Sequence, residues 1–276
     1  MNIFVYTITR KTKSETDFYE LIPIGDVHLG SAGCDYARLQ RTIDYIKETP
    51  NCWWCGMGDY IEAINLNDKR FDPRSIDPSY NIKSLSHLVT TQINDIKAYF
   101  RPIKDKCIGM LTGNHEDTIR LKYYRDCTLE MAEEFGVNYL GYDGFICLKF
   151  ILKNSTQIAT YKIYLHHGWG GSRKSGAKIN RIESFMHDIN ADLVLLAHEH
   201  KKIIAPPHVR LDVNNKYTDV DDQKTYGAMT GCYKKAYVIG GMTYEERNGY
   251  GPADLGSIKI KFYPGSRHRK DLRIEL

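Results

Sequence analysis

Alternating apolar and polar positions over residues 1–20 predict an opening strand, followed by a hairpin turn that carries Arg10, Lys11 and Lys13. The next segment, Leu21-Ile22-Pro23-Ile24-Gly25, is apolar without a break, the pattern of a strand covered on both faces. Tyr36, Leu39, Ile43 and Ile46 then recur at helical spacing and predict a helix over residues 35–47, closed by Pro50. A second apolar run over 53–58 ends at Asp59, so the order strand, helix, strand predicts a right-handed parallel crossover. Residues 65–82 are rich in Asn, Asp, Lys, Arg, Pro and Ser and predict a long surface excursion. A helix over about 82–100, a buried strand over 107–111 and a helix over about 125–135 follow.

From residue 139 the pattern turns to strands, at 145–152, 158–165 and 192–197, with a helix near 179–189. Beyond His200 it is mostly strands and turns, including 236–239 and 257–262. No repeat, low-complexity tract or linker interrupts the chain. A single domain over residues 1–276, built on two packed sheets, is the expected organisation.

Composition narrows the setting. Hydrophobic residues make up 42% of the chain, yet no apolar run approaches the roughly 18 residues a membrane helix needs. Met1-Asn2-Ile3-Phe4-Val5-Tyr6 lacks the basic, apolar and small-residue order of a signal peptide. The seven cysteines are odd in number and scattered, which fits a reducing cytoplasm. Cys52-x-x-Cys55 has no second Cys pair, so both are expected as core thiols on a buried strand. A net charge of +4 is too mild to demand a nucleic-acid partner and does not exclude one.

Chemistry gathers where the apolar runs end, the place at which open α/β sheets hold their ligands. Asp26-Val27-His28 follows the first run, Asp59 the second and Gly113-Asn114-His115-Glu116 the third. His166-His167-Gly168 and Ala197-His198-Glu199-His200 close two later strands. Residues i and i+2 of an extended segment point the same way, so Asp26 with His28, and His198 with His200, are expected to reach one site together. Asp59 offers a carboxylate able to bridge two cations with its two oxygens, Asn114 a carbonyl oxygen and His167 an imidazole. Such mixed donors suit manganese, iron or zinc better than the all-oxygen shell of calcium. An isolated Asp-x-His or Gly-Asp would mean no more than a turn or a cap. Five such motifs in succession mean a metal site.

This set resembles the calcineurin-like metallophosphoesterases, in that family's order, from about residue 21 to residue 200. The resemblance implies a four-layer α/β/β/α sandwich with two mixed β-sheets and two divalent metal ions at the strand ends. Manganese is the expected ion, with iron, zinc, nickel or magnesium as alternatives. By the family's pattern Asp26, His28 and His200 hold one ion, Asn114, His167 and His198 the other, and Asp59 is shared. His167 is preferred to His166 because the family's ligand directly precedes Gly. The family's usual Gly-His-Thr-His reads Ala-His-Glu-His here, which keeps both ligand histidines and alters only the turn. His115 follows a ligand without being one, and is the candidate general acid or transition-state stabiliser. Glu116 and Asp117 either orient His115 or favour the N-terminus of the following helix.

Two cations roughly 3.5–4 Å apart can acidify a shared water and clamp a phosphoryl oxygen, so the expected reaction is phosphoester hydrolysis. A phosphodiesterase or nuclease acting on DNA, RNA or a nucleotide is the leading reading. A phosphatase or diesterase for a small metabolite or phosphoprotein is the alternative. A non-catalytic binding scaffold is a third, disfavoured because every ligand position is filled. The glycine-rich, basic loop after His167 carries Trp169, Arg173, Lys174 and Lys178, which are candidates to hold phosphates and stack a base. It lacks the spacing of a Walker loop. Arg120, one to two turns past His115, is a further substrate candidate, and the excursion adds Lys69, Arg70, Phe71 and Arg74. Tyr244 and Tyr250 are compatible with stacking a base, but tyrosines on sheet surfaces are common and neither is assigned a role. Arg267-His268-Arg269-Lys270 is expected as a solvated turn.

Overall fold

The computed structural model describes residues 1–11, 13–64, 71–80, 87–213, 218–266 and 270–276. Its strands are β1 (Asn2–Arg10), β2 (Tyr19–Ile24), β3 (Cys52–Gly56), β4 (Cys107–Leu111), β5 (Tyr139–Gly141), β6 (Asp143–Leu152) and β7 (Ile158–His166). They continue with β8 (Leu193–Leu196), β9 (Lys202–Ile204), β10 (His208–Val213), β11 (Val220–Cys232), β12 (Gly256–Ser257), β13 (Lys259–Phe262) and β14 (Leu272–Glu275). The helices are α1 (Tyr36–Glu48), α2 (Leu88–Phe100), α3 (Asn114–Tyr123), α4 (Cys127–Phe135), α5 (Ser175–Asp188) and the single turn α6 (Tyr244–Arg247).

One sheet runs β1-β6-β7-β8-β11-β10, with β9 and β12 also paired to β11, and the other runs β14-β13-β2-β3-β4-β5. Both are mixed: β2, β3, β4 and β5 are parallel neighbours, while β13 joins β2 antiparallel. Period-two alternation sorts each strand's residues between two layers. In β2, Leu21 joins the core between the sheets while Ile22 and Ile24 face α1 and α2. In β8, Leu193 and Leu195 face the other sheet while Val194 and Leu196 pack on Ile182 and Met186 of α5. Three apolar layers thus separate helices, sheet, sheet and helix, the four-layer sandwich that the resemblance implies. Trp54, Phe100, Phe150 and Phe262 are fully buried, each side chain contributing about 1.5–3 kcal/mol by leaving water.

Several expectations change. β1 and β2 do not form a hairpin: β1 pairs in parallel with β6 in one sheet, and β2 lies in the other. A short basic segment between two apolar strands suits a crossing between sheets as well as a turn within one. Residues 236–239 form no strand; Tyr237 and Ile239 are exposed and offer no face to a core. The helix expected from about 125 is preceded by α3, which starts at Asn114 itself. Residues 65–70 and 81–82 of the excursion, including Lys69 and Arg70, and the cluster Arg267-His268-Arg269 lie outside the described residues. Cys52 and Cys55 are buried free thiols on β3. No helix among the described residues is long and apolar enough to cross a membrane.

Candidate metal centre

The carboxyl ends of β2, β3, β4, β7 and β8 bring all seven predicted ligands together. Three overlapping groups of donor atoms form among the described residues, Asp26 with His28 and His200, Asp59 with His167 and His198, and His28 with Asp59 and His115, each with its atoms within 4.8 Å of one another. Asn114 joins the second group, its Oδ1 3.1 Å from His167 Nε2. The convergence does not come from strand alternation as expected. Asp26, His28, Asp59, His198 and His200 all have positive φ, between 48° and 71°. Left-handed backbone costs a non-glycine residue about 1–3 kcal/mol, and such strain collects at functional sites. Here it turns each ligand sharply off the end of its strand.

Gly113 is required for proximity rather than for φ. A Cβ there would lie 2.2 Å from Asp59 Oδ1 and 2.1 Å from its amide nitrogen. Glu116 fixes the same corner: its carboxylate accepts the N–H groups of Asp59 (2.9 Å), Tyr60 (2.7 Å), Ile61 (3.1 Å) and Gly113 (3.0 Å). It therefore staples the end of β3 to the start of α3, while Asp117 is engaged by Arg120 and Tyr142.

The donor atoms suit cations. Asp26 Oδ2 accepts the His198 N–H, leaving Oδ1 buried without a hydrogen bond and 3.6 Å from His200 Nε2. His28 Nε2 and His200 Nε2 face each other at 3.0 Å. His167 donates Nδ1–H to the Met57 carbonyl at 2.7 Å, which turns Nε2 toward the acceptors Asn114 Oδ1 and, at 3.3 Å, Asp59 Oδ2. His198 spends Nε2 on the Gly170 carbonyl at 3.0 Å and keeps a buried Nδ1 with no partner. Lone pairs aimed at lone pairs in a buried pocket are what a divalent cation resolves. Asp59 contributes differently from the expectation that both its oxygens bridge: Oδ1 accepts the His115 N–H at 2.9 Å, and Oδ2 is the oxygen between His28 and His167.

Electrostatics show the same demand for positive charge. Burial keeps the imidazoles of His28 and His200 below their ordinary range, so their lone pairs are free at neutral pH. Burial, offset in part by His167 and reinforced by Asp59, pushes the Asp26 carboxyl well up. Burial also opposes charge on Asp59, but His167, His115 and His28 around it hold its carboxyl well below the usual range. For His167, burial is outweighed by Asp59, and its pKa rises to about 10.

A layer of charged groups behind the ligands carries no sequence motif. Glu62 Oε2 lies 3.0 Å from His28 Nδ1, and Glu245 Oε1 lies 3.9 Å from His200 Nδ1. Lys234 Nζ joins the two carboxylates, 3.2 Å from both Glu62 oxygens and 3.3 Å from Glu245 Oε1. Carboxylates behind imidazoles fix ring orientation and raise basicity. Glu199, the residue that departs from the family's turn, is buried and paired with Lys178 and Arg181 of α5. Those cations outweigh burial and lower its pKa, so the altered turn is an anchor to α5.

The site opens into a cavity of about 340 Å³ with His28, Asp59, Asn114, His115, His198 and His200 among its lining. Arg173 and Lys178 also line it, although Lys178 is tied up by Glu199. Lys174 is exposed and lies off the cavity. Arg120 is held by Asp117 and Tyr142 instead of lining it. Arg74 is paired with Asp72 at 2.9 Å. Trp169 packs against Phe185 and His166 under Arg181, away from the cavity. The aromatic rings that do line it are Tyr244 and Tyr250.

No family model matches this sequence, and no curated protein does. Among solved structures the chain is similar to the calcineurin-like phosphoesterase YfkN from Bacillus subtilis, at 12% identity and a TM-score of 0.40, covering 94% of this chain and 90% of that one. It is similar to a Vps29 single mutant from Entamoeba histolytica at 11% identity and a TM-score of 0.39, covering 92% and 97%. A predicted phosphoesterase from Streptococcus pneumoniae TIGR4 gives 10% identity and a TM-score of 0.34, covering 90% and 83%. At such values the functional reading rests on the site's own residues.

Proposed function

We propose that this chain is a metal-dependent phosphoesterase of the calcineurin-like type, a phosphodiesterase or nuclease whose substrate is a nucleotide or nucleic acid. One observation carries the reading: beneath one cavity, Asp59 Oδ2 lies between two facing sets of donors, 3.9 Å from His28 Nε2 on the Asp26–His200 side and 3.3 Å from His167 Nε2 on the His198 side. Asp26, His28 and His200 would hold one divalent cation, Asn114, His167 and His198 the other, with Asp59 Oδ2 common to both. The mix of nitrogen and oxygen donors favours manganese. Such cations, when bound, supply Lewis acidity toward a phosphoryl oxygen and lower the pKa of water.

The chain's own groups do the rest. Glu62 orients His28 from behind, and Glu116 and Gly113 hold Asp59 in place. His115 donates Nδ1–H to the Glu62 carbonyl, so its doubly protonated form would carry on Nε2 the proton given to a departing oxygen. Arg173 supplies positive charge on the cavity wall for phosphate oxygens.

The test is a substrate panel with manganese-loaded protein: bis-p-nitrophenyl phosphate, p-nitrophenyl phosphate, single- and double-stranded DNA, RNA and cyclic nucleotides. Hydrolysis of the diester and of at least one nucleic acid or nucleotide, abolished by a chelator, is expected. Activity confined to the monoester would favour a small-molecule phosphatase. Hydrolysis of none would overturn the reading.

A further inference from the structure

The cavity wall formed around residues 243–253 belongs to none of the ligand motifs. Tyr244 on α6 and Tyr250 just beyond it both line the cavity, with ring centroids 6.5 Å apart and planes 28° from parallel. The wall is tied down at several points. Arg173 donates to the Asn248 carbonyl at 2.5 Å and Lys201 to the Pro252 carbonyl at 2.7 Å. Tyr237 donates its hydroxyl to the Tyr250 carbonyl at 2.7 Å, and Glu245 pairs with Lys234. The Arg173 guanidinium also lies 5.6 Å from the Tyr250 ring centroid.

Two features of this wall point to a ligand. Arg173 and Lys201 both line the cavity and spend these hydrogen bonds on neutral carbonyls, which leave their charge available to an anion. Both cations leave from segments that carry ligands, Lys201 directly after His200 and Arg173 six residues after His167. Positive charge beside two aromatic faces is the combination that holds an unpaired base together with its phosphate. The volume of about 340 Å³ is at the small end of ligand pockets and suits one nucleotide unit. A duplex, whose bases already stack on one another, offers no free face to these rings.

We propose that Tyr244 and Tyr250 form a nucleobase subsite, with Arg173 and Lys201 on the adjoining phosphate, so that the substrate is a nucleotide ester or an unpaired strand end rather than a duplex. This rests on the phosphoesterase reading and narrows it. The base contributes binding on the side of the scissile phosphorus away from the leaving group.

The experiment compares two esters with one leaving group, thymidine 5′-(p-nitrophenyl phosphate) and methyl p-nitrophenyl phosphate, on manganese-loaded protein. Wild type should favour the nucleoside ester in kcat/KM by about 5–150-fold, the worth of one base–aromatic stack. In Tyr250→Leu and Tyr244→Leu that ratio should fall toward one, mainly through KM, while Tyr250→Phe, which keeps the ring, should preserve it. Hydrolysis of both esters with a ratio near one in wild type, or a ratio unmoved by both leucine variants, would overturn the subsite and leave the phosphoesterase reading intact. Hydrolysis of neither ester by wild type would overturn the phosphoesterase reading and the subsite with it.

Discussion

Replacing Lys234 with Met removes the one ammonium that lies between Glu62 and Glu245. Lys234 is only 5% exposed, and its Nζ sits 3.2–3.3 Å from three carboxylate oxygens. Burial works against its charge, but Glu62 and Glu245 outweigh burial and raise its pKa to about 12. Met fills a similar volume, so the loss is electrostatic and the cavity contribution is small. Deleting one partner of a buried ion pair strands the other, at about 3–5 kcal/mol. In a chain of this size that corresponds to a Tm lower by about 5–9 °C. Urea unfolding in the presence of a chelator measures this loss without a contribution from cation binding. The midpoint should fall at nearly unchanged slope. Adding Glu245→Gln to Lys234→Met should recover part of the loss, because one stranded carboxylate is then neutral. A loss below about 1 kcal/mol would refute the view that Lys234 compensates buried charge.

Gly113→Ala should leave the fold in place but push Asp59 off its position, because the new Cβ meets the Asp59 backbone and side chain. Cation affinity measured by calorimetry should drop at least 10–100-fold, roughly the worth of an outer positioning group; unchanged affinity would contradict the close approach. His115→Ala should keep its metal and lose about 10²–10⁴-fold in kcat, with less loss for a p-nitrophenolate leaving group than for an alkoxide. Equal losses would rule it out as the acid, and loss of metal would make it a ligand.

The sequence was most readable at its strand ends. Asp26, His28, Asp59, Asn114, His167, His198 and His200 each sit beside an apolar run short enough to be a strand and nothing else, so their placement followed from the pattern. Alternation in an extended strand predicts paired directions, whereas the backbone at five of these residues is left-handed, a conformation that Asp and His adopt more readily than most side chains but that neither residue demands. The charges behind the ligands were not readable at all. Glu62 lies three residues past Asp59 and was open to notice, but its partner Lys234 is 172 residues away and Glu245 lies farther still. Nothing local marks such a contact. The Glu199 turn was legible as a departure but not as an anchor, since Lys178 and Arg181 reveal that role only once α5 is packed against it. The opening hairpin failed for a related reason: alternation shows that β1 has one buried face and does not say which strand lies beside it.

The most direct test of the central claim counts cations and follows hydrolysis in the same samples. Manganese is titrated into wild type and Asp59→Asn, bound metal is read by mass spectrometry, and bis-p-nitrophenyl phosphate hydrolysis is assayed in parallel. Two ions per wild-type chain are predicted, with hydrolysis rising as they bind, and weakened binding of both ions in a still-folded Asp59→Asn. Two ions held by Asp59→Asn at wild-type affinity, or hydrolysis at full rate in a chelator, would contradict the account.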